Sequence, residues 1–317
     1  MAKSKQVLVV GLGMGRLYQG VCEDLGWHVT TVDPNPSCNA DYADVTDIPL
    51  AIRYDMAIIC TPNYTHESIA KALTIHTKRI VVEKPGFASL MDWRQFRTNY
   101  PKHAIFMVKN NMFRDETMSF QSFRHKLVGI DLLWVNRDRV PGPGSWFTTR
   151  SKAMGGVHLD LLPHLLSVVC GILNTSYIST TADEKAYRYQ HYELSDLAAT
   201  TWGNYDPNGT YDVEDQCYYE TRHGNCQIRC AATWKMDVPK DYISWNLKFH
   251  DGSRIKFETG LCPESAYEYM LVEYMNMEID STSYEYNVHC DEMIQDTIRS
   301  MKSEDCTTLI KTLINEN

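Results

Sequence analysis

Lys84 closes a short apolar run, Arg79-Ile80-Val81-Val82, and Pro85 stiffens the chain as it leaves. Further on, Gly155-Gly156-Val157-His158-Leu159-Asp160-Leu161-Leu162-Pro163-His164 sets an aspartate and a histidine four residues apart. On a helix, that spacing puts both side chains on one face. A lysine and an Asp–His pair suit proton handling at a hydroxyl or carbonyl group, where a base takes the hydroxyl proton as a hydride departs. Each has a plainer reading when taken alone. A strand-end lysine is usually a solvated cation, and Asp160 reads equally as a helix cap with a surface or core histidine after it. Pro163 lacks an N–H and is expected to kink or delay the helix.

A second group of residues suits a dinucleotide. Gly11-Leu12-Gly13-Met14-Gly15-Arg16 follows the apolar run Gln6-Val7-Leu8-Val9-Val10. In a strand–turn–helix setting, the first glycine permits a tight turn. The second lets the backbone approach a pyrophosphate resting on the helix N-terminus. Asp33 lies twenty residues after Gly13, at the end of the next apolar run. It is placed to accept hydrogen bonds from ribose hydroxyls. Its charge would repel a 2′-phosphate, and Pro34-Asn35-Pro36 offers no arginine to hold one. NAD is therefore favoured over NADP. The glycine spacing is tighter than the usual G-x-G-x-x-G, because Gly15 comes one residue early.

These residues need a scaffold, and the first third supplies an α/β pattern. Strands are expected at residues 6–10, 27–32, 55–60, 79–82 and 104–108, with helices at 15–25, 64–75 and 91–98. Strands alternating with helices imply crossover connections and a parallel sheet, and such sheets bind ligands at the carboxyl ends of their strands. The glycine turn, Asp33, Thr61-Pro62-Asn63 and Glu83-Lys84-Pro85 all follow strand ends. After about Arg114 the pattern changes. Strands are expected at 130–135, 211–219, 226–234 and 242–249, with helices at 159–170 and 291–301, which suggests a mostly antiparallel sheet. The last stretch, 306–317, reads as a closing helix or a frayed end. The expected organisation is a dinucleotide-binding Rossmann domain over 1–115 and an α+β substrate domain over 116–317, an architecture that 317 residues accommodate.

Composition excludes some classes. The formal net charge of −9 argues against a nucleic-acid surface, though one or two local arginines could still hold a small anion. No run of 18 apolar residues is evident, so no membrane partner is expected. The basic lead and apolar stretch at the start read as a first strand entering its turn rather than as a signal peptide. Ten scattered cysteines without a C-x-x-C pair read as free thiols in a reducing compartment, so the cytoplasm is expected and no metal site is called.

The stretches GLGMGRL, IICTPNYTHESIAKAL, RIVVEKP and SWFTTRSKAMGGVHLDLLPHLL occur in order. Together they resemble the glucose–fructose oxidoreductase and inositol dehydrogenase family (Gfo/Idh/MocA), over about half the chain. The resemblance implies that Lys84 contacts the reacting hydroxyl near the nicotinamide. It makes His164 the proton acceptor and Asp160 its orienting or substrate-binding partner. Gly11, Gly13, Met14, Gly15, Asp33, Thr61, Pro62, Asn63, His66 and Glu83 become cofactor contacts. Trp146 and Arg150 become substrate-loop residues, and Arg114 is placed to reach the substrate. The implied fold has an open second sheet through which copies of the chain form a dimer or tetramer. Two departures stand out. Only 21 residues separate Asp33 from Asp55, so one helix is expected to be missing or reduced. His158 occupies a position where a small or apolar residue is expected; it is either a second polar contact or exposed.

The resulting expectation is an NAD-dependent oxidoreductase acting on a secondary alcohol or ketone of a sugar, sugar nucleotide or cyclitol. Two alternatives stay open: a reductase of another unsaturated small molecule, of the bilin or dihydrodiol type, and a non-catalytic cofactor-binding regulator of the same fold.

Overall fold

The computed structural model describes residues 4–178, 184–197 and 204–317; the first three residues of the basic lead lie outside them. The chain divides into two compact units, 1–110 with 264–292 and 111–263 with 293–317.

The first unit is built on five parallel strands: β1 (Gln6–Val10), β2 (His28–Val32), β3 (Met56–Ile59), β4 (Arg79–Val82) and β5 (Ala104–Met107), in the order β2-β1-β3-β4-β5. Every pairing is parallel. Strands covered on both faces read as unbroken apolar runs, and β3 and β5 are buried at every position. The helices α1 (Gly15–Asp24), α2 (His66–Leu73) and α3 (Leu90–Asn99) make the crossovers. Between β2 and β3 the chain forms only two 3-10 turns, Pro36–Cys38 and Val45–Asp47. The short Asp33–Asp55 spacing thus costs the fold one crossover helix. Within this connection, Asp41 accepts from both the backbone N–H and the hydroxyl of Thr31 at 2.8 Å.

Two later segments complete this unit. In α8 (Glu264–Asn276), Ala266, Tyr267, Met270, Leu271, Tyr274 and Met275 are buried. Tyr274 stacks on Phe106 with ring centroids 4.3 Å apart. The helix α9 (Thr282–Ser300) begins here, and Tyr284 packs edge-on against Phe106 at 5.4 Å. A division at residue 115 therefore differs from the compact units, because 264–292 returns to the first sheet. The apolar stripe of α8 has helical spacing, but nothing local in it says which sheet it covers.

The second unit contains α4 (Asp115–Gln121), β6 (Leu127–Val135), α5 (Arg150–Ala153), α6 (Val157–Asp160), α7 (Leu162–Leu173), β7 (Lys185–Tyr189), β8 (Gln216–His223), β9 (Cys226–Thr233), β10 (Tyr242–Phe249), β11 (Arg254–Thr259), β12 (Lys302–Ser303) and α10 (Thr307–Glu316). Its seven strands run in the order β11-β10-β6-β9-β8-β7-β12. The pairs β6–β9 and β7–β12 are parallel and the rest antiparallel. The final stretch is a helix. Ile310 and Leu313 of α10 sit on Leu133, Val135, Tyr218 and Ala231 of the sheet.

Residues 150–173 hold α5, α6 and α7. Among the described residues this stretch is long and apolar enough to cross a membrane by composition, yet 89% of its most apolar window is buried inside the protein. Met154, with φ 69°, turns the chain between α5 and α6. The stretch is core, broken into three helices.

Candidate functional site

Three glycines shape the turn after β1, each for its own reason. Gly11 has φ +87°, and a Cβ there would lie 2.8 Å from the carbonyl oxygen of Cys60. Gly15 lies against the sheet, where a Cβ would come within 2.9 Å of Val9 Cγ1. It therefore does the helix-packing work of a third glycine despite arriving one residue early. A Cβ on Gly13 would meet nothing within 4 Å, so the space beside it, at the N-terminus of α1, is open. Open space at that point is what a pyrophosphate on a helix N-terminus requires, and Met14, the N-cap of α1, follows it in the chain. Asp33 braces the turn as well: its carboxylate accepts from Leu12 N at 2.6 Å and from Asn35 N at 2.8 Å. Two bonds leave acceptor capacity on a carboxylate for ribose hydroxyls. The glycine turn and Asp33 thus fit a dinucleotide.

At the ends of β3 and β4 the side chains hold two loops together. His66, fully buried, places Nδ1 2.8 Å from the Gly86 carbonyl and Nε2 2.8 Å from that of Thr61. Burial pulls its pKa down, against the upward pull of the two carbonyls. His66 is thus a brace between the Thr61-Pro62-Asn63 loop and the loop after Lys84. Thr65 Oγ bonds Thr61 Oγ and the Pro62 carbonyl, both at 2.7 Å. Glu83 accepts from Tyr18 Oη at 2.6 Å and from Lys84 N at 3.0 Å. Burial and the nearby Glu83 raise the Tyr18 phenol well above its usual range, so it stays a donor. Tyr18 lies in the middle of α1, where the sequence marks it only as one more apolar-face residue.

In the second unit, Asp160 ends α6 and His164 stands in the first turn of α7. Pro163 falls in that same first turn, where a missing N–H costs nothing, so the proline divides the helix without expelling the histidine. His164 Nδ1 lies 3.1 Å from Asn111 Nδ2, and its ring lies 5.7 Å from that of Trp134. Asp160 Oδ2 accepts from Trp234 Nε1 at 2.9 Å. Trp146 leads to this indole through Phe147, with centroid separations of 4.8 and 6.0 Å. The contacts of Asn111 with His164 and of Trp234 with Asp160 were not visible in the sequence, since each is remote along the chain from the side chain it touches.

Arg150 and Arg114 are both tied down. Arg150 bonds the carboxylate of Glu214 at 3.1 Å, and Arg188 pairs with the same oxygen. Glu214 is buried and also accepts from Gly156 N at 3.3 Å. A Cβ on Gly156 would overlap the Glu214 backbone, and one on Gly155 would meet the His158 ring at 2.6 Å. The glycine pair therefore serves packing against Glu214 and His158. His158 is buried, not exposed, with Nδ1 3.5 Å from Glu214 Oε2. Burial, then the arginines at 188, 150 and 299, hold its pKa well below the usual value. Arg114 is 3% exposed and bonds Glu116, Asn111, Thr259 and Gly260. Among the described residues no cluster of His, Cys, Asp or Glu fits a metal ion.

Residues 5–109 match the family described as "Oxidoreductase family, NAD-binding Rossmann fold" (GFO_IDH_MocA). A putative UDP-kanosamine synthase oxidoreductase subunit of Amycolatopsis mediterranei (strain S699) is 26% identical over 176 residues. That alignment takes in 49% of this chain and 48% of that protein, so the chain spans about half the length of the relative. The fold is shared with levoglucosan dehydrogenase in complex with NADH and L-sorbose, at 15% identity and a TM-score of 0.71, over 94% of this chain and 96% of that one. It is shared equally with the transcriptional regulator Gal80p from Kluyveromyces lactis, at 9% identity and a TM-score of 0.70, over 98% and 93% of the two chains.

Proposed function

We propose that this chain, whose residues 5–109 match the NAD-binding Rossmann-fold model of the Gfo/Idh/MocA oxidoreductases, is an NAD-dependent dehydrogenase or reductase. Its substrate is a secondary alcohol or ketone of a sugar, sugar nucleotide or cyclitol. The observation that carries the reading is the open space beside Gly13, in the turn after β1 of the same parallel sheet whose β4 leads into Glu83, which holds the backbone of Lys84. A cofactor site and an ionisable side chain thus stand at the carboxyl edge of one parallel sheet. NAD supplies the hydride acceptor or donor when bound. Gly11, Gly13, Met14, Gly15, Thr61, Pro62, Asn63 and His66 shape its site, and Asp33 favours it over NADP by repelling a 2′-phosphate. Lys84, Asp160 and His164 handle the proton at the substrate oxygen. Trp146 and Arg150 line the substrate loop. The sugar-like class is supported by the names of the relatives: one concerns UDP-kanosamine and another levoglucosan.

Arg114 is withdrawn from direct substrate contact in this reading, because its donors are engaged within the second unit. The same reading places the protein in the cytoplasm, since none of its ten cysteines is in a disulfide. It also assigns the second sheet a role in a dimer or tetramer. The test is a panel of sugars, sugar nucleotides and cyclitols, with absorbance of reduced nicotinamide as the signal. Turnover of one of them is expected. Binding of NADH with no turnover of any polyol or its ketone would reject the enzyme assignment. That outcome would favour the regulator reading, for which the shared fold of Gal80p is the supporting observation.

A further inference from the structure

We infer that Arg150 and Arg188 form a binding site on the second unit for an anionic group, a carboxylate or a phosphate. On the oxidoreductase reading above, the substrate carries that group. The assignment to the substrate rests on that reading; the anion site does not.

Glu214 organises the cluster. It stands just before β8, and it is buried. Arg150, the first residue of α5, donates through one terminal nitrogen to Glu214 Oε1 at 3.1 Å. Arg188, on β7, pairs with that same oxygen. The other oxygen accepts from Gly156 N at 3.3 Å. One carboxylate thus gathers two guanidiniums and neutralises only one of them. Arg299, near the end of α9, adds a third cation close enough to act on His158. The other carboxylate at hand is Asp212, which is exposed and accepts from Arg150 N at 2.6 Å. Three cations face two carboxylates, so positive charge is in excess. The neighbours register it. His158 Nδ1 lies 3.5 Å from Glu214 Oε2, a position that by itself favours the imidazolium. Burial opposes that charge, and so do all three arginines. Arg188 itself is disfavoured as a cation, first by burial and then by Arg150.

Donors remain for a ligand. A guanidinium has five N–H groups and no acceptor. Arg188 gives Nε to the Met301 carbonyl at 3.0 Å and one terminal nitrogen to Glu214. Arg150 gives one terminal nitrogen to Glu214. The second terminal nitrogen of each, and Nε of Arg150, make no hydrogen bond to protein among the described residues. The two side chains are 42% and 25% exposed, so both can be reached from solvent. A carboxylate or a phosphate suits them, because each offers several oxygens to a planar fork. An arriving anion would also relieve the crowding of like charges, which a neutral hydroxyl would not. Glu214 is the fixed counter-ion that holds the two forks in place, and its own charge limits how tightly the anion binds.

The probes are inorganic phosphate and glucuronate, titrated calorimetrically into the full-length protein with NADH present throughout, so that the glycine turn is not the site measured. At least one should bind, more weakly as salt rises. Phosphate binding assigns a phosphate-bearing ligand and glucuronate binding a sugar acid; either supports the site. Arg150→Gln and Arg188→Gln should each weaken binding at least about tenfold, the low end of a charge-assisted hydrogen bond. Arg150→Lys should restore part of the loss, because the charge returns without the fork. Glu214→Gln is nearly isosteric and removes the opposing charge. It should tighten binding at least about fivefold, the worth of one unit charge at about 4 Å in water. A purely structural cluster would not gain affinity from that change. Thermal melts confirm that each variant is folded. Binding of neither anion overturns the inference. So does binding that Arg150→Gln and Glu214→Gln leave unmoved, which would mark an adventitious ion only. Arg150-dependent anion binding in a protein that turns over no polyol would reject the oxidoreductase reading and leave this inference standing. Turnover of a neutral polyol without anion binding would do the reverse.

Discussion

Asp33 carries two loads, because its carboxylate holds the glycine turn through Leu12 N and the exit of β2 through Asn35 N. Asp33→Ala should therefore weaken NADH binding and narrow the gap to NADPH, as the repulsion of a 2′-phosphate disappears. Titration of both cofactors against wild type and variant checks this. A wild type that prefers NADPH would refute the assignment of Asp33. Gly13 and Gly15 separate cofactor space from packing space. Gly13→Val should abolish NADH binding with an unchanged melting temperature, because its Cβ reaches open space. Gly15→Val should instead lower stability by about 1–3 kcal/mol, because its side chain enters the contact with Val9. Calorimetry and thermal melts on the pair distinguish the two roles.

The end of β5 is secured by a buried ion pair. Lys109 Nζ pairs with Asp291 Oδ1, both side chains being fully buried, and donates to the Met107 carbonyl at 3.3 Å. Asp291 also accepts from Met107 N at 3.0 Å. Burial disfavours the Lys109 cation, but the attraction of Asp291 outweighs it and raises the pKa. Removing one partner leaves the other charge buried alone, at a cost of about 3–5 kcal/mol. Lys109→Met and Asp291→Leu should each destabilise by roughly that amount in urea unfolding. The double variant should lose much less than the sum, since two apolar side chains can share the space. An additive double variant would show that the two residues do not act as a pair.

Across the whole molecule, acid stability reflects buried groups of opposite tendency. His66 and His158 have pKa values lowered by burial, so the unfolded chain takes up protons first as pH falls below about 6.5. That term removes stability on acidification. Asp215 and Asp291 are each raised to about 6, mainly by burial, so the folded chain takes up protons first between about 6 and the unfolded carboxylate range near 4. That term adds stability on acidification and is lost as pH rises through 6. The two oppose each other over much of the range from 6 to 4. His158→Gln removes one destabilising contribution. Its stability relative to wild type should climb as pH falls below about 6.5, by at most about 1.4 kcal/mol per pH unit. Urea unfolding across pH 4–8 measures the difference. A constant difference would show that His158 titrates normally in the folded chain.

The amino-acid sequence by itself determined the parallel sheet of the first unit, since buried strands such as Met56–Ile59 and Ala104–Met107 declare themselves as short apolar runs. It determined the glycine turn, because glycine is required wherever the backbone takes φ > 0 or lies in close contact. It also determined the loss of the crossover helix between β2 and β3, for the chain there is too short to hold one. The tertiary structure decided what no local spacing encodes. It returned 264–292 to the first unit. It consumed the donors of Arg114 and buried His158 beside Glu214. It brought Asn111 to a histidine 53 residues away along the chain. Periodicity says which face of an element is buried. Only packing says against what, and a histidine's tautomer depends on that neighbour.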